Sequence, residues 1–146
     1  MKSVIFVCLG NICRSPIAEG IAHKIAKEND LHVKIDSAGT GHWHVGEAPC
    51  ENSIRVANEH NTDISMLRAR KITQDDINTF DLIIALDDKN YADLKAMGAK
   101  NLYKLGYFGF NNDDVPDPFF FDGYYGFETV YKMIDTCVQE LFKEHL

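Results

Sequence analysis

The sequence has no long hydrophobic run and no excess of basic residues, and each absence excludes a class of protein. None of its segments approaches the roughly 18 uninterrupted apolar residues of a membrane-spanning helix. The formal net charge of -7 over 146 residues argues against a broad surface for nucleic acid or for an anionic membrane. We therefore expect neither nucleic acid as a partner nor insertion into a membrane.

Cysteine is also scarce, and no two cysteines form a CxxC pair. The four are Cys8, Cys13, Cys50 and Cys137. This usage indicates free thiols in a reducing compartment rather than a disulfide scaffold. Lys2 precedes a short apolar run, but Asn11 and Arg14 interrupt that run too early for a secretory signal peptide. We expect a cytoplasmic protein; the pattern does not address secretion without a signal peptide.

What the sequence does contain is an alternation of apolar strands and amphipathic helices. Residues 4–7 predict a buried strand, and from Pro16 onward apolar residues recur every four positions, as on one face of a helix. Ser15 is the expected N-cap of that helix and Pro16 its first residue. Further strands are expected at residues 33–36, 81–86 and 101–105, and further helices at residues 50–60, 87–97 and from about 127 to the end. We predict a single-domain, three-layer α/β fold over residues 1–146 with a central four-stranded parallel sheet.

The loop between the first strand and the first helix carries both a cysteine and an arginine. In parallel sheets, sites lie at the carboxyl ends of strands, and Cys8 is at such an end. Backbone N–H groups and the positive end of the helix dipole suit the loop to an oxyanion, which Arg14 could also hold with two N–H donors. A cysteine in this position is expected to be a thiolate near neutral pH. Phosphoryl transfer to sulfur requires this combination of nucleophile, anion cradle and positive charge.

The segment VCLGNICRSPIAEG resembles the active-site loop of the low-molecular-weight protein tyrosine phosphatases, nearly residue for residue. The segments DSAGTGHWHVGEAP, RARKIT, FDLIIALDDKN, VPDPF and FETVYKMI resemble other family segments in family order. The resemblance implies a strand–phosphate loop–helix motif and hydrolysis of aryl phosphates through a phosphocysteine intermediate. It implies no cofactor and no metal, and the reaction should be fastest in mildly acidic solution. The implied partner is a phosphotyrosine-containing protein, and the expected state is a monomer or a weak homodimer.

The resemblance also implies roles within the loop. Cys8 would be the nucleophile, and Arg14 would bind the phosphate together with the loop backbone. Ser15 would donate a hydrogen bond to the Cys8 sulfur, and Asn11 would hold the loop in its strained shape. Cys13 would form a reversible disulfide with Cys8 that protects it from overoxidation. The loop residues expected to bind substrate are Leu9, Gly10, Asn11, Ile12 and Cys13.

The remaining site residues come from segments that are distant in sequence. The resemblance selects Asp117 as the general acid and base, on a loop stiffened by Pro116 and Pro118. Trp43, Phe119 and Phe120 would form the apolar walls of a slot for the aromatic ring. Asp87 resembles a carboxylate that supports the active site, and it is equally a candidate N-cap of the helix that follows it.

Several positions depart from the family pattern or allow another interpretation. Leu67 stands where many relatives have a histidine that braces the phosphate loop, so we expect a weaker brace or one made by other groups. The segment after Asp117 is one residue longer than in the animal form. Cys50 and Cys137 are interpreted as structural thiols. His42, His44 and Glu47 are a weak candidate metal site, because no further ligands accompany them.

Two other functions fit the same loop. Thioredoxin-coupled arsenate reductases share the loop but need extra cysteines after the third strand, where this sequence has IIALDDKN. A non-catalytic phosphotyrosine-binding module would not need the nucleophile, the arginine and the acid together. The sequence therefore favours the phosphatase over both alternatives.

Overall fold

The structure, a computed structural model, describes residues 2–121 and 123–146, apart from the side chain of Phe120. Strands and helices alternate along this part of the chain. In order they are β1 (Lys2–Cys8), α1 (Arg14–Glu28), β2 (Val33–Gly39), α2 (Glu51–Glu59), α3 (Gln74–Thr79), β3 (Leu82–Ala85), α4 (Asp88–Ala96), β4 (Leu102–Lys104) and α5 (Tyr125–His145). Two short 3₁₀ helices span Leu105–Tyr107 and Pro118–Phe120. Within the described ranges, no helix combines the length and the apolar character needed to cross a membrane.

The four strands form one parallel sheet in the order β2-β1-β3-β4, as the sequence predicts. Strand β1 is flanked by β2 and β3, so the site that follows it lies between the ends of two neighbours. The register places Cys8 opposite Gly39 on β2 and Val7 opposite Ala85 on β3. The carboxyl ends of all three strands therefore meet at one edge of the sheet.

Helices cover both faces of this sheet. Successive side chains of a strand point to opposite faces. Phe6 accordingly joins a core formed with α1, α2 and α5, while Val7 joins a smaller core formed with α3 and α4. Fully burying an apolar side chain of this size contributes about 1.5–3 kcal/mol. The two cores confirm the predicted three-layer arrangement.

The start of α1 differs from the prediction. The helix begins at Arg14 and its N-cap is Cys13, whose side chain makes no capping hydrogen bond. The expected cap, Ser15, is the second helical residue and Pro16 the third. The prediction failed because the Ser15 hydroxyl contacts the Cys8 sulfur instead of a helix N–H group.

Other elements also depart from the predicted bounds. Strand β2 continues to Gly39 rather than ending near Asp36, and α2 is one residue shorter than predicted at each end. Helix α3 was not predicted, although Thr73 and Asp76 form a reciprocal capping box at its start. Asn61 has the expected left-handed backbone, with φ of 60°.

Candidate active site

The segment from Cys8 to Arg14 connects the end of β1 to the start of α1 and approaches β2 closely. A Cβ added at Gly39 would lie 2.8 Å from the carbonyl oxygen of Leu9, so only glycine fits there. The Thr40 N–H donates to the Cys8 carbonyl at 3.0 Å, and the Gly41 N–H donates to the Leu9 carbonyl at 2.9 Å. The loop is thus pinned against the chain that leaves β2.

Cys8 is buried at the base of the loop, with an exposed fraction of 2%. Its Sγ accepts from the Asn11 N–H at 3.3 Å and lies 3.0 Å from the Ser15 Oγ. The Asn11 Nδ2 donates to the same Ser15 Oγ at 2.7 Å. Because that contact uses the oxygen as an acceptor, the hydroxyl proton of Ser15 is available to the sulfur. The predicted hydrogen bond from Ser15 to Cys8 therefore has suitable geometry.

Asn11 is the central brace of the loop. Its backbone is left-handed, with φ of 57°, a conformation that asparagine tolerates better than most residues. Besides Ser15, its Nδ2 donates to the Ser37 Oγ at 3.0 Å, and its Oδ1 accepts from the Arg70 N–H at 3.0 Å. Three hydrogen bonds thus hold one buried amide. These hydrogen bonds are a brace made by other groups, as we expected because Leu67 replaces the histidine of many relatives.

The brace extends further into the protein. The Ser37 hydroxyl donates to Glu19 Oε1 at 2.6 Å, and Glu19 is 6% exposed. The Arg70 guanidinium pairs with Asp36 and Asp76. None of these supports was predicted from the sequence. Serine and glutamate on separate elements carry no local pattern that would have revealed them.

Arg14 is 5% exposed, and neighbouring residues form hydrogen bonds with its guanidinium group. The Nη1 donates to Asp87 Oδ2 at 2.8 Å and to the Val115 carbonyl at 2.9 Å. Burial disfavours the charged form, but the negative charges of Cys8, Asp87 and Asp117 outweigh it and raise the pKa of Arg14. No described residue accepts a hydrogen bond from Nε or Nη2, so these donors are available to a ligand.

Asp87 fills both roles that the sequence suggested. Its Oδ2 binds Arg14, and its Oδ1 accepts from the Asn90 N–H at 2.8 Å, which caps α4. The carboxylate therefore links the arginine of the loop to the helix that follows β3.

Asp117 precedes the 3₁₀ helix Pro118–Phe120 and accepts from the Phe119 N–H at 3.0 Å. Val115, two residues earlier, is fully buried and anchors the segment, and its carbonyl contacts Arg14. This anchor brings the carboxyl of Asp117 to the same cavity as Cys8 and Arg14.

The cavity contains most of the predicted site. Its interior measures about 150 Å³, and its walls are Cys8, Leu9, Gly10, Ile12, Cys13, Arg14, Trp43, His44, Asp117 and Phe119. Asn11 and Ser15 do not line the cavity, but both contact the Cys8 sulfur. The side chain of Phe120, the other predicted wall residue, lies outside the described part of the chain.

The rim of the cavity is aromatic. Trp43 is 65% exposed and Phe119 62% exposed. The Phe119 ring packs edge-on against Phe127 of α5, with centroids 5.8 Å apart. Gly41 lets the Trp43 ring fold over the backbone, since a Cβ there would lie 1.9 Å from the ring. Two large apolar surfaces thus stand at the mouth of the pocket that contains Cys8, Arg14 and Asp117.

His44 also lines the cavity, and sequence reasoning did not assign it there. A Cβ added at Gly10 would lie 3.1 Å from the His44 ring, and the His44 Nδ1 is 3.0 Å from Glu47 Oε2. The described residues contain no group of three or more side chains placed to hold a metal ion. His44 and Glu47 are therefore partners of each other at the rim.

Cys50, interpreted from the sequence as a structural thiol, contacts another cysteine. Its Sγ lies 3.1 Å from the Sγ of Cys13, beside the phosphate loop. Cys137 is fully buried in the core on α5, which agrees with a structural role.

Comparisons with known proteins agree with this geometry. The model of the low molecular weight phosphotyrosine protein phosphatase family matches residues 3–146. The chain is 39% identical to the low molecular weight protein-tyrosine-phosphatase YfkJ of Bacillus subtilis, over 97% of this chain and 94% of that protein. It is 37% identical to PtpA of Staphylococcus aureus, over 97% of this chain and 92% of that protein.

Solved structures give the same result. The crystal structure of Bacillus subtilis YfkJ superposes with a TM-score of 0.89 and covers 99% of this chain and 94% of that one, at 37% identity. A protein tyrosine phosphatase from Entamoeba histolytica superposes with a TM-score of 0.92 at 29% identity, covering 99% of this chain and 96% of that one. Family match, sequence identity and superposition extend over nearly the whole chain, and so this chain belongs to the low molecular weight phosphotyrosine protein phosphatase family.

Proposed function

We propose that this protein hydrolyses phosphotyrosine in proteins through a phosphocysteine intermediate on Cys8. The observation that carries the proposal is the placement of Cys8, Arg14 and Asp117 around one cavity at the carboxyl edge of a parallel sheet. A nucleophile, a fixed cation and a proton donor are the three groups that the reaction needs. The family membership supports the same reaction.

The phosphate would bind within the loop between Cys8 and Arg14. Backbone N–H groups at the N-terminus of α1 and the positive end of its dipole attract the anion. Arg14 would add two parallel N–H donors, Nε and Nη2, while Asp87 holds Nη1. The same donors would stabilise the equatorial oxygens in the transition state, where charge is spread over them.

In the first step the Cys8 thiolate attacks phosphorus, and the bond from phosphorus to the phenolic oxygen breaks. Asp117 gives its proton to that oxygen, so tyrosine leaves as a neutral phenol. Asn11 and Ser15 contact the Cys8 sulfur at 3.3 and 3.0 Å and stabilise it as a thiolate.

In the second step water attacks the phosphocysteine. Asp117, now a carboxylate, accepts a proton from that water, and the sulfur leaves phosphorus as a thiolate. The hydroxyl of Ser15 stabilises the departing thiolate, since its oxygen is already occupied as an acceptor from Asn11. Inorganic phosphate is released and the enzyme returns to its starting state.

An aromatic leaving group suits the rim. Trp43 and Phe119 offer exposed apolar surface at the rim, and Leu9, 39% exposed, also lines the cavity. Large aromatic side chains bind flat rings through burial and offset stacking. Phe120 stays a prediction for the same wall. Cys13 as the redox partner of Cys8, a monomeric or weakly dimeric state and a cytoplasmic location also stay predictions.

The experiment is hydrolysis of p-nitrophenyl phosphate and of matched phosphotyrosyl and phosphoseryl peptides, in the presence of a metal chelator. We expect turnover of the two aryl phosphates, little of the phosphoseryl peptide, and loss of activity in C8S. Substantial turnover by C8S would refute the role of Cys8. Binding of the phosphotyrosyl peptide without hydrolysis would indicate a binding module, and reduction of arsenate without phosphatase activity would indicate the reductase.

A further inference from the structure

A second pair of thiols lies beside the proposed nucleophile. The Sγ atoms of Cys13 and Cys50 are 3.1 Å apart, although 37 positions separate the two residues. Both are free thiols. Cys13 also lines the cavity that contains Cys8. Cys13 therefore touches Cys50 and shares a pocket with the nucleophile.

Backbone contacts hold the pair together independently of the sulfur atoms. The Cys50 N–H donates to the Ile12 carbonyl at 2.9 Å, and the Ser53 hydroxyl donates to the Cys13 carbonyl at 3.0 Å. Ser53 is fully buried, so water does not compete for this hydrogen bond. These two contacts fix the start of α2 against the phosphate loop and keep the sulfurs close.

The two thiols also lie at the N-termini of two helices. Cys13 is the N-cap of α1 and Cys50 the N-cap of α2. The positive ends of helix dipoles stabilise thiolates. The hydrogen bond with Cys13 lowers the pKa of Cys50, and the same hydrogen bond together with burial raises the pKa of Cys13. The lowered pKa of Cys50 and the raised pKa of Cys13 favour Cys50 as the thiolate of the pair.

We propose that Cys13 and Cys50 form a disulfide that takes an oxidising equivalent away from Cys8 and restores the nucleophile after reaction with a hydroperoxide. The proposal rests on the role of Cys8 proposed above. Under it, Cys50 is a resolving thiol rather than a structural one.

Three steps complete the transfer. The Cys8 thiolate attacks hydrogen peroxide, which becomes hydroxide as Cys8 becomes a sulfenic acid. The Cys13 sulfur attacks the Cys8 sulfur, the S–O bond breaks, and the Cys13 proton leaves with the oxygen as water. The Cys50 thiolate then attacks the Cys13 sulfur, and Cys8 leaves as a thiolate. One peroxide has been reduced, two thiols have been oxidised to a disulfide, and Cys8 is unchanged.

The hydrogen bonds around Cys8 favour this direction of exchange. A more stable thiolate is a better leaving group in thiol–disulfide exchange. The Asn11 N–H and the Ser15 hydroxyl both contact the Cys8 sulfur. Attack by Cys50 on Cys13 therefore releases the sulfur that the loop stabilises.

Disulfide mapping tests the pairing directly. Trypsin leaves Cys8 and Cys13 together on residues 3–14 and Cys50 on residues 35–55. The full-length protein is treated with one equivalent of hydrogen peroxide, quenched with catalase, alkylated with N-ethylmaleimide, digested and analysed by mass spectrometry. We expect residues 3–14 linked to residues 35–55 through Cys13, with Cys8 alkylated. A disulfide found only within residues 3–14 would overturn the proposal.

Recovery of activity provides a second readout. After the peroxide is removed, the wild-type protein should regain p-nitrophenyl phosphate hydrolysis without added thiol. C50S should have normal turnover before treatment and lose this recovery until dithiothreitol is added, and C50A should repeat the result. C137S, which removes a thiol distant from the site, should recover like the wild type.

Equal thiol-free recovery of C50S and the wild type would contradict the proposal. Failure of the untreated wild type to hydrolyse the substrate would instead contradict the proposed function, while the mapping would still report the disulfide. The two failures are therefore distinguishable.

Discussion

Arg14 and Asp87, 73 positions apart in the chain, are joined by a hydrogen bond of 2.8 Å from Nη1 to Oδ2. The second oxygen of Asp87 caps α4 through the Asn90 N–H at 2.8 Å. One carboxylate thus orients the arginine of the phosphate loop and also caps α4, the helix that follows β3. The two functions can be separated by substitution.

Asp87→Asn should weaken substrate binding while preserving the helix cap. Asparagine caps helices as well as aspartate does, but it has no charge to hold Arg14. We expect KM for p-nitrophenyl phosphate and the inhibition constant of inorganic phosphate to rise about tenfold, which corresponds to about 1.4 kcal/mol. Steady-state kinetics with phosphate as a competitive inhibitor measure both.

Asp87→Ala and Asp88→Asn are the controls for this prediction. The alanine variant should lose a further ~1 kcal/mol of unfolding free energy, because it removes the cap as well. Asp88 is an exposed neighbour that binds Lys104 rather than Arg14, so its variant should keep the wild-type KM. Unchanged phosphate inhibition in Asp87→Asn would contradict the positioning role.

The left-handed backbone of Asn11 predicts a difference between two small substitutions. Asn11→Gly and Asn11→Ala both remove the amide that binds Ser15, Ser37 and the Arg70 backbone, so both should lower kcat/KM. A φ of 57° strains alanine but not glycine. The unfolding free energy of Asn11→Ala should therefore be about 1–2 kcal/mol lower than that of Asn11→Gly. Urea denaturation of the two variants measures this difference, and equal stabilities would argue against strain at this position.

The loop that carries Asp117 predicts a loss of turnover without a loss of phosphate affinity. Asp117→Ala should lower kcat by about 10²–10⁴-fold, the usual contribution of a general acid. The loss should be larger for phenyl phosphate than for p-nitrophenyl phosphate, because the more basic phenolate depends more on the proton. Asp113→Ala, on the exposed part of the same loop, is the matched control. An equal loss of orthovanadate affinity would refute the acid assignment.

The ion pair between Arg70 and Asp76 predicts how stability depends on pH. Burial raises the pKa of Asp76, but the hydrogen bonds from Arg70 and Thr73 prevail and leave the pKa below its usual value. A carboxyl whose pKa is lower in the folded state stabilises the fold above the unfolded pKa, about 3.9, and loses this effect as the pH falls through the folded value.

Asp76→Asn should therefore lower the unfolding free energy by about 2 kcal/mol at pH 7, and the difference from the wild type should shrink below about pH 4. Denaturant titrations at pH 7 and pH 3 measure the two differences. Asp75→Asn, on the exposed side of the same helix, should change little. A difference that stays constant with pH would contradict the assignment.

The local structure was largely predictable from sequence. Buried strands, the C-terminal helix and the strand–loop–helix around Cys8 each follow from apolar periodicity over a few residues. The failures were also local: Ser15 looked like a helix cap because its competing partner, the Cys8 sulfur, cannot be identified from neighbouring residues. The short helix Gln74–Thr79 was overlooked although its Thr73 and Asp76 capping box is visible in the sequence.

The contacts that build the site depend on how strands are ordered. Arg70 meets Asn11, and Cys50 meets Cys13, only because β2 pairs with β1 in a register that places Gly39 opposite Cys8. Asp87 reaches Arg14 because β3 is the other neighbour of β1. By itself, the sequence determined most of the elements, the spacing of Cys8 and Arg14, and the family resemblance that pointed to Asp117. Only the tertiary structure decided which groups brace, charge and flank the loop, because strand pairing brings those partners together across 26 to 73 positions and no local pattern does so.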